Sequence, residues 1–368
     1  MHSLLILDKY SEITAEPYNT TSTLSIEQRY NCFPPVTGRV VKMSEDVGFI
    51  GVGNMGYRMA GNVRRKMPSS ATLHIYDISK DACQRLKDEV GSFGPVEIAN
   101  SAKEVTEKSH TVITMVPMGQ HARAVYLDKQ NGVLAAKGDS DRLFLECSTI
   151  DVATCREIGQ QIAAANAGIF VDTPVSGGIG GAAAGTLSFM CGRPKGPEED
   201  PISKRVFEII CWMGSPQKIR FCGELGTGLV SKIANNYIAI CTTSVIGEAM
   251  AFGMRYGVDK RTLYECIAAS SGDSWVLHNN HVVPGVIPTS PSSNGFKLTF
   301  APKMSVKDIT LGIQSAEQVG INPSMGKAAV ELYQKVADDA RTAHLDQSVV
   351  WLFINDEVDN LGPKTNGI

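Results

Sequence analysis

The sequence predicts an α/β domain built on a parallel sheet, followed by an all-α domain, with one long helix linking the two. Short apolar runs alternate with helical stretches from Asp46 to about Gly223, a rhythm typical of parallel strands covered by helices on both faces. The segment 226–257 then continues without a break and is rich in Ala, Ile and Met, which indicates a single long helix. A chain of 368 residues is long enough for two domains with cores of their own.

The individual elements follow from where the apolar runs begin and end. The predicted strands are 47–50, 73–76, 97–99, 111–115, 143–145 and 169–171. The predicted helices are 52–64, 80–89 and 102–108 beside the sheet, and 226–257, 260–270, 301–319 and 323–343 in the all-α domain. Residues 284–295, rich in Pro, Ser and Asn, are predicted to form a loop.

Composition and charge favour a small-molecule partner. The chain is 43% hydrophobic and 20% charged, with a formal net charge of -3. Because Lys and Arg form no long runs, we expect neither nucleic acid nor an anionic membrane as partner. No run of about 18 uncharged apolar residues occurs, so no membrane span is predicted. The nine cysteines form no C-x-x-C pair and have no zinc-like spacing, so no metal site is expected.

The first predicted strand leads directly into a glycine-rich turn, Gly51-Val52-Gly53-Asn54-Met55-Gly56. Gly51 permits the tight turn, Gly53 lets a pyrophosphate approach the backbone, and Gly56 lets the following helix pack close to the sheet. The N-terminus of that helix, which includes Asn54 and Met55, supplies N–H groups for phosphates. In this context G-x-G-x-x-G indicates a dinucleotide-binding domain of the Rossmann type. A glycine-rich turn without a ligand is the alternative.

Asp77 ends the second predicted strand, 21 residues after Gly56. An acidic side chain at this place can accept hydrogen bonds from both ribose hydroxyls and would repel a 2′-phosphate. We therefore predict NAD rather than NADP as the cofactor. Asp77 could also be the N-cap of the helix that begins at Lys80, and that interpretation is compatible with ribose binding.

Two further motifs indicate where a substrate binds. Ser176, Gly177 and Gly178 follow the last predicted strand, and their hydroxyl and N–H groups could hold a carboxylate. A plain turn explains this spacing equally well. Lys232 and Asn236 lie four residues apart on an almost entirely apolar helix and so share a face. Burial would lower the pKa of Lys232 and suit it to proton transfer near neutral pH, whereas a lysine that extends its amine to solvent is the alternative.

Histidines are the other candidates for a base, and we considered His110, His121, His278 and His281. The last two lie in a polar, loop-like stretch without an acidic residue at motif spacing. We therefore predict that His278 and His281 are surface histidines.

Three motifs occur in the order found in β-hydroxyacid dehydrogenases: VGFIGVGNMGYRMA, DTPVSGGIGGAAAGTL and GTGLVSKIANN. Over about residues 46–336 the chain resembles this family, and within it the 3-hydroxyisobutyrate dehydrogenase branch. Further likeness lies in IYDISKDAC, VITMVP, CSTID, MGS, VPGV and VKDITL. The first 43 residues lie outside the resemblance.

The resemblance implies a Rossmann-type domain, a helical domain and an active site at their junction. It implies that Ser176 holds the substrate carboxylate together with the N–H groups of Gly177 and Gly178. It also implies that Lys232 is the catalytic lysine and Asn236 the asparagine beside it. The further positions that it assigns to the cofactor are Val116, Pro117, Thr149 and, at the nicotinamide end, Lys307.

Three departures from the family pattern concern the site. His121 stands where the family usually has Asn near the cofactor, and Asp273 stands where it often has a basic residue. Leu298 and Thr299 replace a glycine pair before Phe300. We expect Asp273 and the Leu298–Thr299 pair near the substrate pocket, where they bear on the choice of acid more than on the chemistry.

Together with these motifs, the resemblance implies an NAD-dependent enzyme that oxidises 3-hydroxyisobutyrate to methylmalonate semialdehyde in valine breakdown, with Lys232 as general base and acid. The alternatives are an NAD(P)H-dependent semialdehyde reductase of the same family and a non-catalytic dinucleotide-binding module. We do not expect an imine reductase to retain Lys232. A short helical domain disfavours 6-phosphogluconate dehydrogenase.

The predicted domains are a flexible extension at 1–44, a dinucleotide-binding domain at 45–224 and an all-α domain at 225–360. Long apolar helices and the resemblance imply a homodimer or homotetramer. The resemblance also implies the mitochondrial matrix. However, the extension has as many acidic as basic residues, unlike a transit peptide, so a cytoplasmic location is the alternative, and the start could be Met1 or Met43.

Overall fold

The computed structural model describes residues 46–361. The predicted extension at 1–44 and the choice between Met1 and Met43 as start lie outside the described residues. The described residues belong to one compact unit, so the predicted boundary between 224 and 225 stays a prediction.

Six parallel strands form the main sheet, in the order β3-β2-β1-β4-β5-β6. They are β1 Val47–Ile50, β2 Leu73–Tyr76, β3 Val96–Ile98, β4 Thr111–Thr114, β5 Leu143–Glu146 and β6 Ile169–Asp172. All six predicted strands are present, and their ends differ from the prediction by at most one residue. The strand order reverses between β1 and β4, and in such sheets ligands bind in the crevice outside the carboxyl ends of the strands at that point.

Five helices accompany this sheet: α1 Asn54–Lys66, α2 Lys80–Val90, α3 Ala102–Lys108, α4 Gly119–Leu127 and α5 Val152–Ala164. Three of them begin at side-chain caps, in which Ser79, Ser101 and Asp151 accept hydrogen bonds from the first turn. Short 3-10 helices occur at Gly91–Phe93 and Val133–Ala135. Fully buried apolar side chains of the strands, such as Phe49 and Phe144, fill the core against the helices.

A second sheet of three strands follows, which the sequence analysis did not predict. The strand β7 Val175–Ser176 runs antiparallel to β8 Leu187–Cys191, and β8 runs parallel to β9 Gly214–Phe221. The helices α6 Gly178–Ala184 and α7 Pro201–Ile210 connect these strands. Their sequence signal is weak because β7 has two residues and β9 is largely polar and partly exposed.

The rest of the described chain is helical, with α8 Thr227–Arg255, α9 Lys260–Ala268, α10 Trp275–Asn279, α11 Pro302–Gln318, α12 Ser324–Asp338 and α13 Val350–Ile354. The predicted long helix is present as α8, which packs against the other five helices. Buried side chains such as Met250, Ile309 and Tyr333 form the core between them. The fold is therefore the predicted combination of a Rossmann-type sheet domain and a helical part joined by a long helix.

Two predictions for the helical part, one of a helix and one of a loop, need correction. Helix α12 ends at Asp338 rather than at 343, because Asp339 is extended and its carboxylate accepts a 2.8 Å hydrogen bond from the backbone N–H of Arg341. The predicted loop at 284–295 contains a short 3-10 helix, Pro291–Asn294. It is tied down by Ser293, whose hydroxyl donates to the carbonyl oxygen of Ile287 at 2.6 Å.

Contrary to the sequence expectation, α8 is long and apolar enough to cross a membrane, if length and composition alone are considered. This criterion is weak, because core helices of folded domains also meet it. Within the part of the chain that the structure describes, α8 is in contact with five other helices and with β8, which is the environment of a core helix.

Candidate active site

The glycine-rich turn has the geometry that a phosphate site needs. Gly51 has φ +92°, and a Cβ there would lie 2.2 Å from the carbonyl oxygen of Met115. A Cβ at Gly56 would lie 1.9 Å from the carbonyl oxygen of Gly51, so only glycine lets α1 approach β1 this closely. Gly53 is exposed, and a Cβ there would meet no atom within 4 Å. The first N–H groups of α1, from Asn54 onward, have no side-chain cap and border this open space.

Asp77 is hydrogen-bonded to the glycine-rich turn. Its Oδ2 accepts a 2.7 Å hydrogen bond from the backbone N–H of Val52, and its Oδ1 accepts one of 2.8 Å from Ser79. The N-cap of α2 is Ser79, whose hydroxyl accepts from the N–H of Ala82. The interpretation of Asp77 as an N-cap is therefore wrong. Each carboxylate oxygen retains a lone pair for a further donor.

A second cluster lies where β4 and β5 end. The N–H of Val116 donates to the hydroxyl of Ser148 at 2.7 Å, and the N–H of Ser148 donates to Oε1 of Glu146 at 2.8 Å. Lys307 reaches across from α11, where its Nζ donates to the carbonyl oxygens of Thr149 at 2.8 Å and Pro117 at 3.2 Å. The structure thus brings Lys307 together with Val116, Pro117 and Thr149, the other three positions that the resemblance assigns to the cofactor.

A cavity of about 230 Å³ adjoins this cluster. It lies between the sheet domain and α11, and its lining includes Thr149, Asp151, Gln120, Gln314 and Lys307. His121 follows Gln120 on α4 and is exposed. Met118, Ile150 and Leu311 also line the cavity, so apolar surface and a few polar groups occur together, as is usual for a small-molecule site.

The Ser176 loop presents its polar groups to solvent. Ser176 ends β7, where it pairs with Ser188 of β8, and it is partly exposed. Gly177 and Gly178 are exposed and have φ +131° and +60°, values that only glycine adopts without strain. Within residues 46–361 the Ser176 hydroxyl has no hydrogen bond, and β8 contacts both β7 and α8. A carboxylate could therefore bind to this loop next to the start of α8.

Asp172, at the end of β6, fixes the start of α8. Its buried carboxylate accepts hydrogen bonds from the N–H of Gly226 at 2.8 Å and of Leu229 at 2.9 Å. A Cβ at Gly228 would lie 2.2 Å from the carbonyl oxygen of Met190, so the first turn of α8 packs directly on β8. These contacts determine where the following turn, which carries Lys232, is placed.

Lys232 is buried, with 7% of its surface exposed. Burial lowers the pKa of its amine to about 8, while the charge of Asp308 opposes this effect and that of Lys307 adds to it. Within the described part of the chain the amine forms no hydrogen bond and no ion pair. A buried lysine without a partner, poised near neutral pH, is suited to exchange a proton with a ligand.

Asn236 lies one turn further along α8 and is tied to α11. Its Nδ2 donates a 2.7 Å hydrogen bond to Oδ2 of Asp308, and its Oδ1 accepts one of 3.1 Å from Asn235. Oδ1 of Asp308 lies 3.4 Å from Nζ of Lys307. Lys232, Asn236, Lys307 and Asp308 therefore form one polar cluster between α8 and α11.

Sequence reasoning missed three acidic residues at this site: Glu146, Asp172 and Asp308. Each is buried, and burial raises the pKa of Glu146 to about 7. A signal was present, since Glu146 and Asp172 end apolar strands at the edge where the glycine loop lies, and Asp308 follows Lys307 directly. Within residues 46–361, no group of three or more His, Cys, Asp or Glu side chains could hold a metal ion.

The prediction that both histidines lie at the surface was wrong for His281, whereas the side chain of His278 is 39% exposed. His281 is fully buried; its Nδ1 accepts a 3.1 Å hydrogen bond from the N–H of Val283, and burial lowers its pKa to about 4. His278 lies on α10 rather than in a loop, and its Nε2 is 2.5 Å from Oδ1 of Asp273. Its Nδ1 forms a 2.8 Å hydrogen bond with the hydroxyl of Tyr264. The chain folds back between α9 and α10 here, a long-range arrangement that local polarity does not reveal.

Asp273 and Thr299, two of the residues that depart from the family pattern, contact other residues of the helical part. Oδ1 of Asp273 lies beside Nε2 of His278. The N–H groups of Thr299 and Phe300 donate to Oδ2 of Asp346 at 3.2 and 2.9 Å, and Leu298 is exposed. Their effect on the choice of acid stays a prediction.

Comparisons with known proteins agree with this geometry. Residues 46–245 match the NAD-binding domain of 6-phosphogluconate dehydrogenase, and residues 226–353 match the NAD-binding domain of NADP-dependent 3-hydroxyisobutyrate dehydrogenase. The chain is 37% identical to a probable mitochondrial 3-hydroxyisobutyrate dehydrogenase of Dictyostelium discoideum, over 86% of this chain and 93% of the relative. It is 34% identical to the mitochondrial 3-hydroxyisobutyrate dehydrogenase of Homo sapiens, over 88% and 91%.

A solved structure is similar as well. The 3-hydroxyisobutyrate dehydrogenase of Mycobacterium tuberculosis with L-serine superposes with a TM-score of 0.74 at 30% identity, covering 85% of this chain and 99% of that one.

Proposed function

This chain belongs to the 3-hydroxyisobutyrate dehydrogenase family, and from that premise we propose that it oxidises 3-hydroxyisobutyrate to methylmalonate semialdehyde with NAD and Lys232. Its membership makes it an oxidoreductase that uses an NAD(P) dinucleotide and acts on a 3-hydroxy acid. The observation that carries the finer proposal is Lys232, a buried lysine with a pKa of about 8 and no hydrogen bond to any residue of 46–361.

The residues present fit a dinucleotide. Open space at Gly53 and the uncapped N–H groups from Asn54 and Met55 onward suit the pyrophosphate. Val116, Pro117, Thr149 and Lys307 would surround the nicotinamide end.

Asp77 supports NAD rather than NADP. Its carboxylate would accept the ribose hydroxyls and repel a 2′-phosphate. Ile78, which follows it, is 93% exposed and offers no positive charge. The amine of Lys80, a nearby cation, is bonded to the carbonyl oxygen of Ala99 at 3.0 Å. A family described as NADP-dependent makes the direct comparison of the two cofactors necessary.

The step assigned to this chain is the transfer of one proton between the 3-hydroxyl of a bound substrate and the amine of Lys232. Ser176 and the N–H groups of Gly177 and Gly178 would hold the substrate carboxylate. The Lys232 amine takes the proton of the 3-hydroxyl and becomes an ammonium, which stabilises the developing alkoxide. When bound, the oxidised nicotinamide supplies the acceptor for the hydride that leaves C3, so the alcohol becomes an aldehyde. In reduction, the Lys232 ammonium returns the proton to the oxygen.

Asn236 completes this arrangement. One N–H of its amide donates to Asp308, and the second could donate to the substrate oxygen beside Lys232. A catalytic role also accounts for the burial of an unpaired lysine, which has no benefit for folding. This argues against a non-catalytic dinucleotide-binding module.

The assembly proposed is a homodimer or homotetramer formed through α8. Ile238, Val245 and Phe252 recur every seven residues on this helix and are 65%, 57% and 61% exposed. A stripe of large apolar side chains on one helix face is typical of an interface.

Relatives named as mitochondrial support a location in the matrix and a place in valine breakdown. Fractionation of the native protein would test the location.

Steady-state kinetics test the function directly. We expect oxidation of 3-hydroxyisobutyrate with NAD at a kcat/KM at least about tenfold above that with NADP and above those for 3-hydroxypropionate, 4-hydroxybutyrate, serine and glycerate. Preference for another of these acids would refute the proposed substrate but keep the chemistry. Faster reduction with NADPH would favour the semialdehyde reductase. Absence of turnover with every acid, despite measured NADH binding, would refute the enzyme proposal.

A further inference from the structure

Asp308 is a buried carboxylate of α11, and few polar groups surround it to offset the loss of its hydration. Only 3% of its surface is exposed. Its Oδ2 accepts the hydrogen bond from Asn236, whereas its Oδ1 accepts none from residues 46–361, although Nζ of Lys307 lies 3.4 Å away. A carboxylate removed from water needs several hydrogen bonds or a close cation to offset its desolvation. The interactions that offset the desolvation of Asp308 thus come from Asn236 and Lys307, which are both residues of the candidate site.

The charge of Asp308 acts on Lys232. Two charged groups, both on α11, influence the amine: Asp308 favours its ammonium form and Lys307 opposes it. On the other elements packed against this end of α8, the nearby acid is Asp172 of β6, whose carboxylate is occupied by the N–H groups of the first turn. Among residues 46–361, Asp308 is therefore the acid whose charge favours the ammonium form of Lys232.

The same carboxylate orients Asn236. Its hydrogen bond from Nδ2 and the bond from Asn235 to Oδ1 fix both ends of the amide. Without an acceptor at Asp308, the Asn236 amide could rotate, and its free N–H would lose its direction.

We propose that Asp308 is a positioning residue for the reaction: it holds the Asn236 amide in one orientation and balances the charge of the Lys232 ammonium. The inference rests on the proposed function only in taking Lys232 as the group that exchanges the substrate proton. Asp308 acts through Lys232 and Asn236 and needs no contact with the substrate.

Asp308→Asn removes the charge and keeps an acceptor for Asn236. We expect Lys232 to lose its proton at a pH about 1 unit lower, because an opposite charge a few ångströms away has been removed. The rising limb of kcat against pH in oxidation and the falling limb in reduction should both move down by that amount. Reduction at pH 8 should fall at least about fivefold. A purely structural defect would lower kcat at every pH without moving either midpoint.

Two variants serve as controls. Asp346→Asn alters another buried carboxylate of the helical part, which accepts from the N–H groups of Thr299 and Phe300. It should lower the Tm and leave both midpoints in place. Asp308→Glu keeps the charge, so it should keep the midpoints and raise KM through misplacement of Asn236. Asp308→Ser replaces Asp308→Asn if the latter does not fold.

A readout that does not need turnover separates this inference from the proposed function. NMR titration of lysine labelled with 13C at Cε, with the Lys232 signal assigned by its loss in Lys232→Arg, reports the protonation of Lys232 directly. A wild-type enzyme inactive on every 3-hydroxy acid would refute the proposed function and leave this test intact. An unchanged Lys232 midpoint in the charge-removing variant would overturn the role of Asp308, and a lower midpoint would support it.

Discussion

The amine of Lys307 donates a 2.8 Å hydrogen bond to the carbonyl oxygen of Thr149, 158 residues away in the chain. It thereby connects α11 to the loop that follows β5. The same amine donates to the carbonyl oxygen of Pro117 after β4, so one cation contacts both loops that carry predicted cofactor residues. In this position Lys307 can couple cofactor binding to the placement of the α11 residues that surround Lys232.

Lys307→Met should weaken cofactor binding. The variant keeps the length of the side chain and loses the hydrogen bonds of the cation, which are worth about 1.5–3 kcal/mol when the donor is charged. We expect the Kd for NADH, measured by fluorescence titration, to rise about 10- to 100-fold. Lys303→Met, at an exposed position one turn earlier on α11, is the matched control and should bind NADH like the wild type. Equal affinity in both variants would contradict a cofactor role for Lys307.

The pKa of Lys232 predicts opposite pH dependence in the two directions. Oxidation needs the neutral amine, so its kcat/KM should rise with pH and level off above about 8. Reduction needs the ammonium, so its kcat/KM should be greatest below about 8 and fall above it. Measurement of kcat/KM from pH 6 to about 10 tests both limbs, because this ratio reports the protonation of the free enzyme. Parallel profiles for the two directions would show that another group moves the proton.

Lys232→Met should separate activity from stability. Loss of the base should lower kcat about 10²- to 10⁴-fold, with NADH binding retained. The folded chain binds the Lys232 proton less tightly than the unfolded chain, since the pKa falls from 10.5 to about 8. At pH 7, below both values, the wild type therefore bears the full cost of the buried ammonium, about 3 kcal/mol.

We thus expect Lys232→Met to unfold at a urea concentration higher than that of the wild type at pH 7, by about 1–3 kcal/mol in the free energy of unfolding. This advantage should shrink between pH 8 and 10.5, where the wild type loses the proton in the folded state. A destabilised Lys232→Met that also fails to bind NADH would indicate a structural lysine.

Asp77→Asn should reduce the preference for NAD. Replacement of the carboxylate removes the repulsion of a 2′-phosphate and one charged acceptor for the ribose, so we expect the NAD/NADP ratio of kcat/KM to fall about 10- to 100-fold. Ser79→Ala is the control, because it removes the cap of α2 and leaves the charge. It should cost about 1 kcal/mol of stability without a change in cofactor preference. An unchanged ratio in Asp77→Asn would contradict its assignment.

Local pattern was sufficient for the parts of this molecule that are built from neighbouring residues. Periodicity and spacing alone predicted the six strands of the main sheet, the turn from Gly51 to Gly56 and the burial of Lys232 on α8. The roles of Asp308 and His281, which the sequence analysis missed, depend on contacts between distant segments. Asn236 and Asp308 are 72 residues apart, and His281 is buried because the chain folds back over α9. No local pattern predicts a contact between segments so far apart in the chain. The strands β7 and β9 were missed for another reason, since β7 is short and β9 is largely polar.

Tyr237, next to Asn236, lies between α8 and α11 and determines how closely these two helices pack. A Cβ at Gly312 of α11 would lie 2.5 Å from Cδ2 of its ring, and one at Gly326 of α12 would lie 2.4 Å from Cε2. The Tyr237 hydroxyl also accepts a 2.8 Å hydrogen bond from the N–H of Gly326. The ring is therefore held in a slot formed by two glycines, and this slot sets the register of α8 against α11.

Gly312→Ala should force α8 and α11 apart. Overpacking of this kind costs about 1–3 kcal/mol, and the displacement of Asp308 from Asn236 should also lower kcat. Gly91→Ala is the matched control, since φ there is −62° and a Cβ would meet no atom within 4 Å; its stability and kcat should match the wild type. Tyr237→Ala combined with Gly312→Ala should cost less than the sum of the two single changes in urea unfolding. Additive costs would show that the ring and Gly312 do not determine the helix spacing.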